Sequence, residues 1–163
     1  MNTKNNLMSA FEGESKAYFR YLAFASIAEK EGHKAAARLF RAVAQAEAVH
    51  ALNHFEVMGA AGDTEKNLMS AIDGETYEFT QMYPAFIETA DQEGENRARI
   101  SFQHASEVEK VHNALYSEAL ENLGRNKETD YHICEVCGNT VAGNPPEKCP
   151  ICGASIEKFK LLR

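Results

Sequence analysis

The sequence predicts a mainly α protein: a bundle of four long helices followed by a small ribbon stapled by a metal. Three observations predict it. Apolar residues recur at helical spacing over roughly the first 123 positions with few breakers. The first helical pair is repeated about 61 residues further on. All four cysteines fall in the last 30 residues as two C-x-x-C pairs.

The first helix is expected over 3–31, with Leu7, Phe11, Ala17, Tyr18, Tyr21, Phe24, Ala25 and Ala28 on its apolar stripe and an end at Glu31-Gly32-His33. The second resumes the period over 34–58, through Ala36, Leu39, Phe40, Val43, Ala46, Val49, Phe55 and Met58. Gly59 to Lys66 is read as a short break. The third and fourth helices, 67–92 and 96–123, repeat the pair and are separated at Glu93-Gly94. Helices this long belong to bundles. Pro84 lies midway along the third and should kink it.

The repeat is detailed. Leu7-Met8-Ser9-Ala10 recurs as Leu68-Met69-Ser70-Ala71, and Gly13-Glu14-Ser15 as Gly74-Glu75-Thr76. Glu31-Gly32 recurs as Glu93-Gly94, and Phe40 as Phe102. A duplicated helical hairpin explains all of these together. Domains are expected at 1–124 for the bundle and 131–163 for the ribbon, with 125–130 as a polar linker. The ribbon holds three of the four prolines and every cysteine, and is too short for an apolar core of its own.

Bulk composition excludes several classes. Hydrophobic residues make up 44% and charged residues 25%, a globular balance. A net charge of −7 argues against a nucleic-acid partner. No run approaches the roughly 18 apolar residues of a membrane span. The polar start, Met1-Asn2-Thr3-Lys4-Asn5-Asn6, has no secretory h-region, so a cytoplasmic protein is expected. In that reducing setting C-x-x-C pairs read as metal ligands before disulfides.

Two copies of one ligand pattern stand out. Gly13-Glu14 pairs with Glu47-Ala48-Val49-His50, and Gly74-Glu75 with Glu109-Lys110-Val111-His112. Residues i and i+3 share a helix face, so each Glu-x-x-His is a two-toothed grip. Glu14 lies about 18 residues before the first turn and Glu47 about 15 after it, so folding the hairpin brings them level. The same holds for Glu75 and Glu109. Four inward carboxylates would cost several kcal/mol each if buried bare. Two divalent ions resolve this, and the pattern is that of di-iron and di-manganese bundles. With 20 Glu and 6 His, chance alone supplies roughly 0.7 Glu-x-x-His matches, so the matched placement of the two copies carries the weight. Glu78, three residues after Glu75, has no twin because Ala17 fills that place. His54, one turn past His50, is expected at the surface or supporting His50. His33, His104 and His132 lack ligand spacing and are expected to be structural.

Cys134-x-x-Cys137 and Cys149-x-x-Cys152 form a tetrahedral S4 signature, each pair followed by a glycine that permits a tight turn. Spacing leaves zinc and iron equally open there.

Together these residues resemble the rubrerythrin family over essentially the whole chain. The motifs are Ala10-Phe11-Glu12-Gly13-Glu14-Ser15, then Gly74-Glu75-Thr76-Tyr77-Glu78 followed by Met82-Tyr83-Pro84, and Cys149-Pro150-Ile151-Cys152-Gly153, which is similar to the second knuckle of rubredoxin. The resemblance implies a ferritin-like bundle with a non-haem di-iron site, joined to a rubredoxin-like Fe(Cys)4 domain in which zinc can substitute. It implies that Glu14, Glu47, Glu75, Glu78, Glu109 and His112 ligate iron, with Glu47 and Glu109 bridging. His50 would exchange with Glu78 at one iron, and Tyr21 and Tyr83 would hydrogen-bond ligand carboxylates.

The expected activity is reduction of hydrogen peroxide to water. Electrons would be relayed through the Fe(Cys)4 centre from an NAD(P)H-linked reductase or a rubredoxin. Ferroxidase chemistry and a zinc-ribbon binding module are the alternatives.

One feature departs from the family's fold. A ferritin-like bundle needs roughly 35 Å of crossover between its second and third helices. Gly59 to Lys66 offers at most about 25–28 Å. A homodimer that exchanges helix pairs is the expectation favoured over a simple up-down bundle.

Overall fold

A computed structural model describes residues 2–162; Met1 and Arg163, the outer ends of the two expected domains, lie outside the described residues. The chain divides into two compact units, one ending at Gly62 and one beginning at Asp63.

The first unit is a helical hairpin of α1 (Thr3–Lys30) and α2 (Lys34–Val57). Asn2 starts α1 by accepting the backbone N–H of Asn5 at 3.0 Å, which satisfies one of the donors a helix start leaves free. The hairpin turns at Gly32, whose φ of 85° suits glycine. There the N–H of His33 reaches back to the carbonyl of Ala28 and that of Gly32 to Glu29, a Schellman closure. Ala25, Ala28, Ala37, Ala44 and Ala51 are buried, so small side chains let the two helices approach closely. Phe11 and Phe55 stack across the hairpin with ring centroids 5.1 Å apart.

The second unit opens with α3 (Thr64–Tyr77), starting three residues earlier than expected. The reason is Asp63, whose carboxylate accepts the N–H of Lys66 at 2.9 Å and draws Thr64 to Lys66 into the first turn. A single π-turn, Glu78–Met82, then leads into α4 (Tyr83–Gln92), with Pro84 in its first turn. The expected kink therefore takes a specific form. Proline has no N–H to give, and the ladder widens by one residue just before it. The internal repeat records that extra residue: the offset is 61 at Glu14/Glu75 but 62 at Glu31/Glu93 and at His50/His112.

Gly94 closes the second hairpin as Gly32 closes the first, with Glu95 N–H on the carbonyl of buried Ala90. Helix α5 (Asn96–Glu121) returns along α3 and α4. Asn113 ties it to α3, donating to the Ile72 carbonyl at 3.0 Å and the Thr76 hydroxyl at 2.8 Å.

Past Gly124 comes a three-stranded antiparallel sheet ordered β2-β1-β3, with β1 (Tyr131–Cys134) between β2 (Thr140–Ala142) and β3 (Phe159–Leu162). Tyr131 pairs with Ala142 on one side and Leu162 on the other. This small domain sits on α5: Gly138 lies over buried Val108, whose Cγ1 is 3.8 Å from where a Cβ on Gly138 would stand. Among the described residues no helix is long and apolar enough to cross a membrane.

Candidate metal centre

Each hairpin closes its own half of the ligand pattern. In the first, Glu14 on α1 meets Glu47 and His50 on α2, each offering one ligand atom within 4.8 Å of the others. In the second, Glu75 on α3 meets Glu109 and His112 on α5 under the same limit. The i,i+3 grip is present in both: His50 Nδ1 lies 3.0 Å from Glu47 Oε2, and His112 Nδ1 lies 2.8 Å from Glu109 Oε2. Helical arms of similar length on either side of the same glycine turn set the level of these residues.

The second group is crowded with charge. Burial, then the Glu109 carboxylate, raises the Glu75 carboxyl above its usual range against the opposing pull of His112. Burial and then Glu75 raise Glu78 in the same way. Glu78 is thus within electrostatic reach of Glu75 and His112 but outside the tight group of three. Tyr83 is raised by burial first and then by the charges of Glu109, Glu78 and Glu75, so its phenol keeps its proton within their electrostatic reach. A cation is the group that such a donor set lacks.

Tyr21 and Tyr83 hold equivalent places. Tyr21, Phe24 and Phe40 form one ring cluster, with Phe24–Phe40 centroids 5.6 Å apart; Tyr83, Phe86 and Phe102 form the other, with Phe86–Phe102 at 5.5 Å. Sequence reasoning had matched only Phe40 with Phe102. The signal was there, since all three pairs share the offset of 62. Of the remaining histidines, His132 is structural, with Nδ1 2.7 Å from the Gly143 carbonyl, and His33 starts α2.

The four cysteines converge. Cys134 and Cys152 sulfurs are 3.7 Å apart, Cys137 and Cys149 sulfurs 3.6 Å, close to the roughly 3.8 Å edge of a tetrahedron with metal–sulfur bonds near 2.3 Å. All four are free thiols. The two knuckles match: Gly138 N–H returns to the Cys134 carbonyl and Gly153 N–H to that of Cys149. Burial raises Cys137 and Cys152. Burial also pushes Cys149 up, but backbone N–H groups of Cys152 and Ile151 outweigh it and bring that thiol to about 7. Cys149 is therefore held nearer to thiolate than Cys137 or Cys152.

Two helical hairpins with duplicated Glu and Glu-x-x-His groups and an appended S4 ribbon define the class of carboxylate–histidine metal proteins that carry a separate thiolate centre. Residues 5–120 match the family model for rubrerythrin, and residues 132–160 that for the rubrerythrin rubredoxin-like domain. Rubrerythrin-2 of Clostridium acetobutylicum is 39% identical over 97% of this chain and 95% of its own length. Nigerythrin of Nitratidesulfovibrio vulgaris is 35% identical over 93% of this chain and 82% of its own. A solved structure of fully reduced, all-ferrous nigerythrin superposes with a TM-score of 0.61 at 34% identity, covering 99% of this chain and 87% of that one.

The chain belongs to the rubrerythrin family. Its fold is the family's ferritin-like helical domain with a rubredoxin-like domain, and its cofactors are a di-iron site and a four-cysteine iron site. The expected fold class and metal content are both borne out.

Proposed function

We propose that this protein reduces hydrogen peroxide to water at its di-iron site, drawing electrons one at a time through the Fe(Cys)4 centre from an NAD(P)H-linked reductase or a rubredoxin. The observation that carries the reading is the seat of the rubredoxin-like domain. His112 Nε2 lies 3.1 Å from Thr140 Oγ1 and 3.4 Å from the Gly138 carbonyl, one peptide from Cys137, which supports a short path between the two centres. Ferroxidase storage chemistry has no use for such a relay. A zinc ribbon that only binds a partner has no use for a carboxylate site beneath it.

Iron held there would supply two electrons and Lewis acidity for O–O cleavage, with two protons consumed for two waters formed. Glu14, Glu47, Glu75, Glu78, Glu109 and His112 are the proposed ligands, with Glu47 and Glu109 bridging. Glu78, more easily protonated than an ordinary glutamate, is suited to leave and rejoin as His50 exchanges with it. Tyr83 would hydrogen-bond a ligand carboxylate, and Tyr21, in the equivalent ring cluster, would do so for the first hairpin.

The working unit is proposed to be a helix-swapped homodimer. Between Val57 and Thr64 lie six residues, at most about 25 Å fully stretched, whereas 24-residue α2 is about 36 Å long. Large apolar side chains also remain open: Phe19, Leu39 and Leu52 are 70%, 64% and 67% exposed, a surface that suits a second copy. Grouped free thiols support a reducing, cytoplasmic setting.

The test is anaerobic stopped flow on the reduced, iron-loaded protein. Rapid return of the ferric–thiolate absorption with stoichiometric peroxide, much faster than with oxygen, is expected. No return with either oxidant would remove the relay and shift the reading to ferroxidase or binding. Zinc rather than iron at the cysteines of protein taken from its own cells would favour the binding module.

A further inference from the structure

The two ring nitrogens of His112 have different neighbours. Nδ1 lies 2.8 Å from Glu109 Oε2 and 3.8 Å from Glu75 Oε1, on the side where the carboxylates converge. Nε2 lies 3.1 Å from Thr140 Oγ1 and 3.4 Å from the Gly138 carbonyl, both in the rubredoxin-like domain. The carbonyl can only accept. The Thr140 hydroxyl donates to that same carbonyl at 3.2 Å, which leaves its lone pairs to accept. Once a cation takes the Nδ1 lone pair, the ring hydrogen sits on Nε2, where the Thr140 hydroxyl and the Gly138 carbonyl are the acceptors in reach.

We propose that Thr140 is a positioning residue for His112, its hydroxyl accepting the Nε2 hydrogen so that Nδ1 is presented to a cation between Glu75 and Glu109. The inference rests on reading Glu75, Glu109 and His112 as metal ligands. It goes further by making the seat of the rubredoxin-like domain part of the carboxylate site. Thr140 is the stronger of the two acceptors, because 3.4 Å is long for an N–H···O bond. Val108 of α5 also lies beneath Gly138, so the Thr140 hydroxyl is not the domain's sole neighbour on that helix among the described residues.

The test uses the full-length protein with zinc as a diamagnetic probe, comparing Thr140→Val and Thr140→Ser with the unaltered chain. Histidine 15N–1H spectra report the His112 tautomer and the exchange of its Nε2 hydrogen. Chelator competition reports zinc affinity at the carboxylate site. In the unaltered protein, zinc on Nδ1 and a slowly exchanging Nε2 hydrogen are expected. Thr140→Val should speed that exchange at least about tenfold and weaken zinc about tenfold, the low end for loss of a hydrogen bond to a ligating histidine. Sheet amide signals should stay in place, and Thr140→Ser should restore both readings. If valine disturbs the sheet, Thr140→Ala takes its place. Unchanged exchange and affinity in the hydroxyl-free variants would overturn the proposal. Equal impairment in the serine variant would overturn it too, by assigning the effect to shape. Failure of His112 Nδ1 in the unaltered protein to respond to zinc would remove the metal reading itself, and with it this proposal, before any substitution is made.

Discussion

The two hairpins began as one design and now differ at the places where chemistry is done. Both have the same glycine turn, the same Glu and Glu-x-x-His group and the same aromatic trio. In the first, α1 runs unbroken, Ala17 stands three residues after Glu14, Ala51 comes directly after His50, and the His50 side chain is 54% exposed. In the second, a π-turn interrupts the helix, Glu78 stands three residues after Glu75, Asn113 comes directly after His112, and the His112 side chain, 26% exposed, meets the rubredoxin-like domain. Shared features carry the fold and the basic ligand set. Features present once give the second hairpin an extra carboxylate and a neighbouring thiolate centre.

The sharpest way to break this comparison is to damage one hairpin at a time. Glu47→Ala and Glu109→Ala should each abolish the proposed peroxide reduction, by more than about a hundredfold, since each removes a proposed ligand itself, not merely its support. Refolding the two variants together should then restore activity. In a swapped dimer one site of each mixed pair draws both hairpins free of lesions, so about a quarter of all sites should be intact. No recovery would mean that each site is built within one chain.

A smaller effect separates the hairpins by shape. Deleting exposed Gln81 within the π-turn should let α3 run into α4 as α1 runs, and the fold should survive within about 1 kcal/mol. Metal affinity should nevertheless fall several-fold as Tyr83 rotates relative to Glu75 and Glu78. Calorimetry and chelator competition on the same sample would check both.

Acidity offers a third handle. Glu75 and Glu78 have carboxyls raised above their ordinary value of 4.5 in the folded protein. Folding therefore favours their protonated forms. Their stabilising contribution is complete below about 4.5 and is lost as pH rises through the folded values. Metal-free protein should show a falling urea midpoint over that rise, and Glu75→Gln or Glu78→Gln should flatten it. A cation removes the cause, so metal-loaded protein should not show this decline.

The smallest effect concerns helix starts. Asp63→Ala should cost about 1 kcal/mol by removing the cap of α3, whereas His33→Ala should cost almost nothing, because His33 makes no side-chain cap to α2. Thermal unfolding of the two variants would check this.

Much of this was legible in the chain. Helix ends at Glu31-Gly32 and Glu93-Gly94 are local signals, because the left-handed turn is dictated by the glycine itself. The ligand groups were legible because i+3 spacing and equal arms are geometry that needs no packing. Pro84 announced a defect but not its kind; only the change of offset from 61 to 62 distinguishes a π-turn from a bend. The early start of α3 was missed because apolar periodicity begins at Leu68, whereas the cap is set by Asp63. The partner of His112 was beyond reach. Thr140 lies 28 positions away, and nothing local marks a β-strand hydroxyl as the neighbour of a helical imidazole.

The single residue that opens the π-turn also dates the halves relative to one another. Since only one copy carries it, the difference arose after the hairpin had been doubled, whichever copy changed. A helix can absorb such a change without losing its ends, its turn or its partner. The third helix thus keeps a trace of how two like hairpins became unlike.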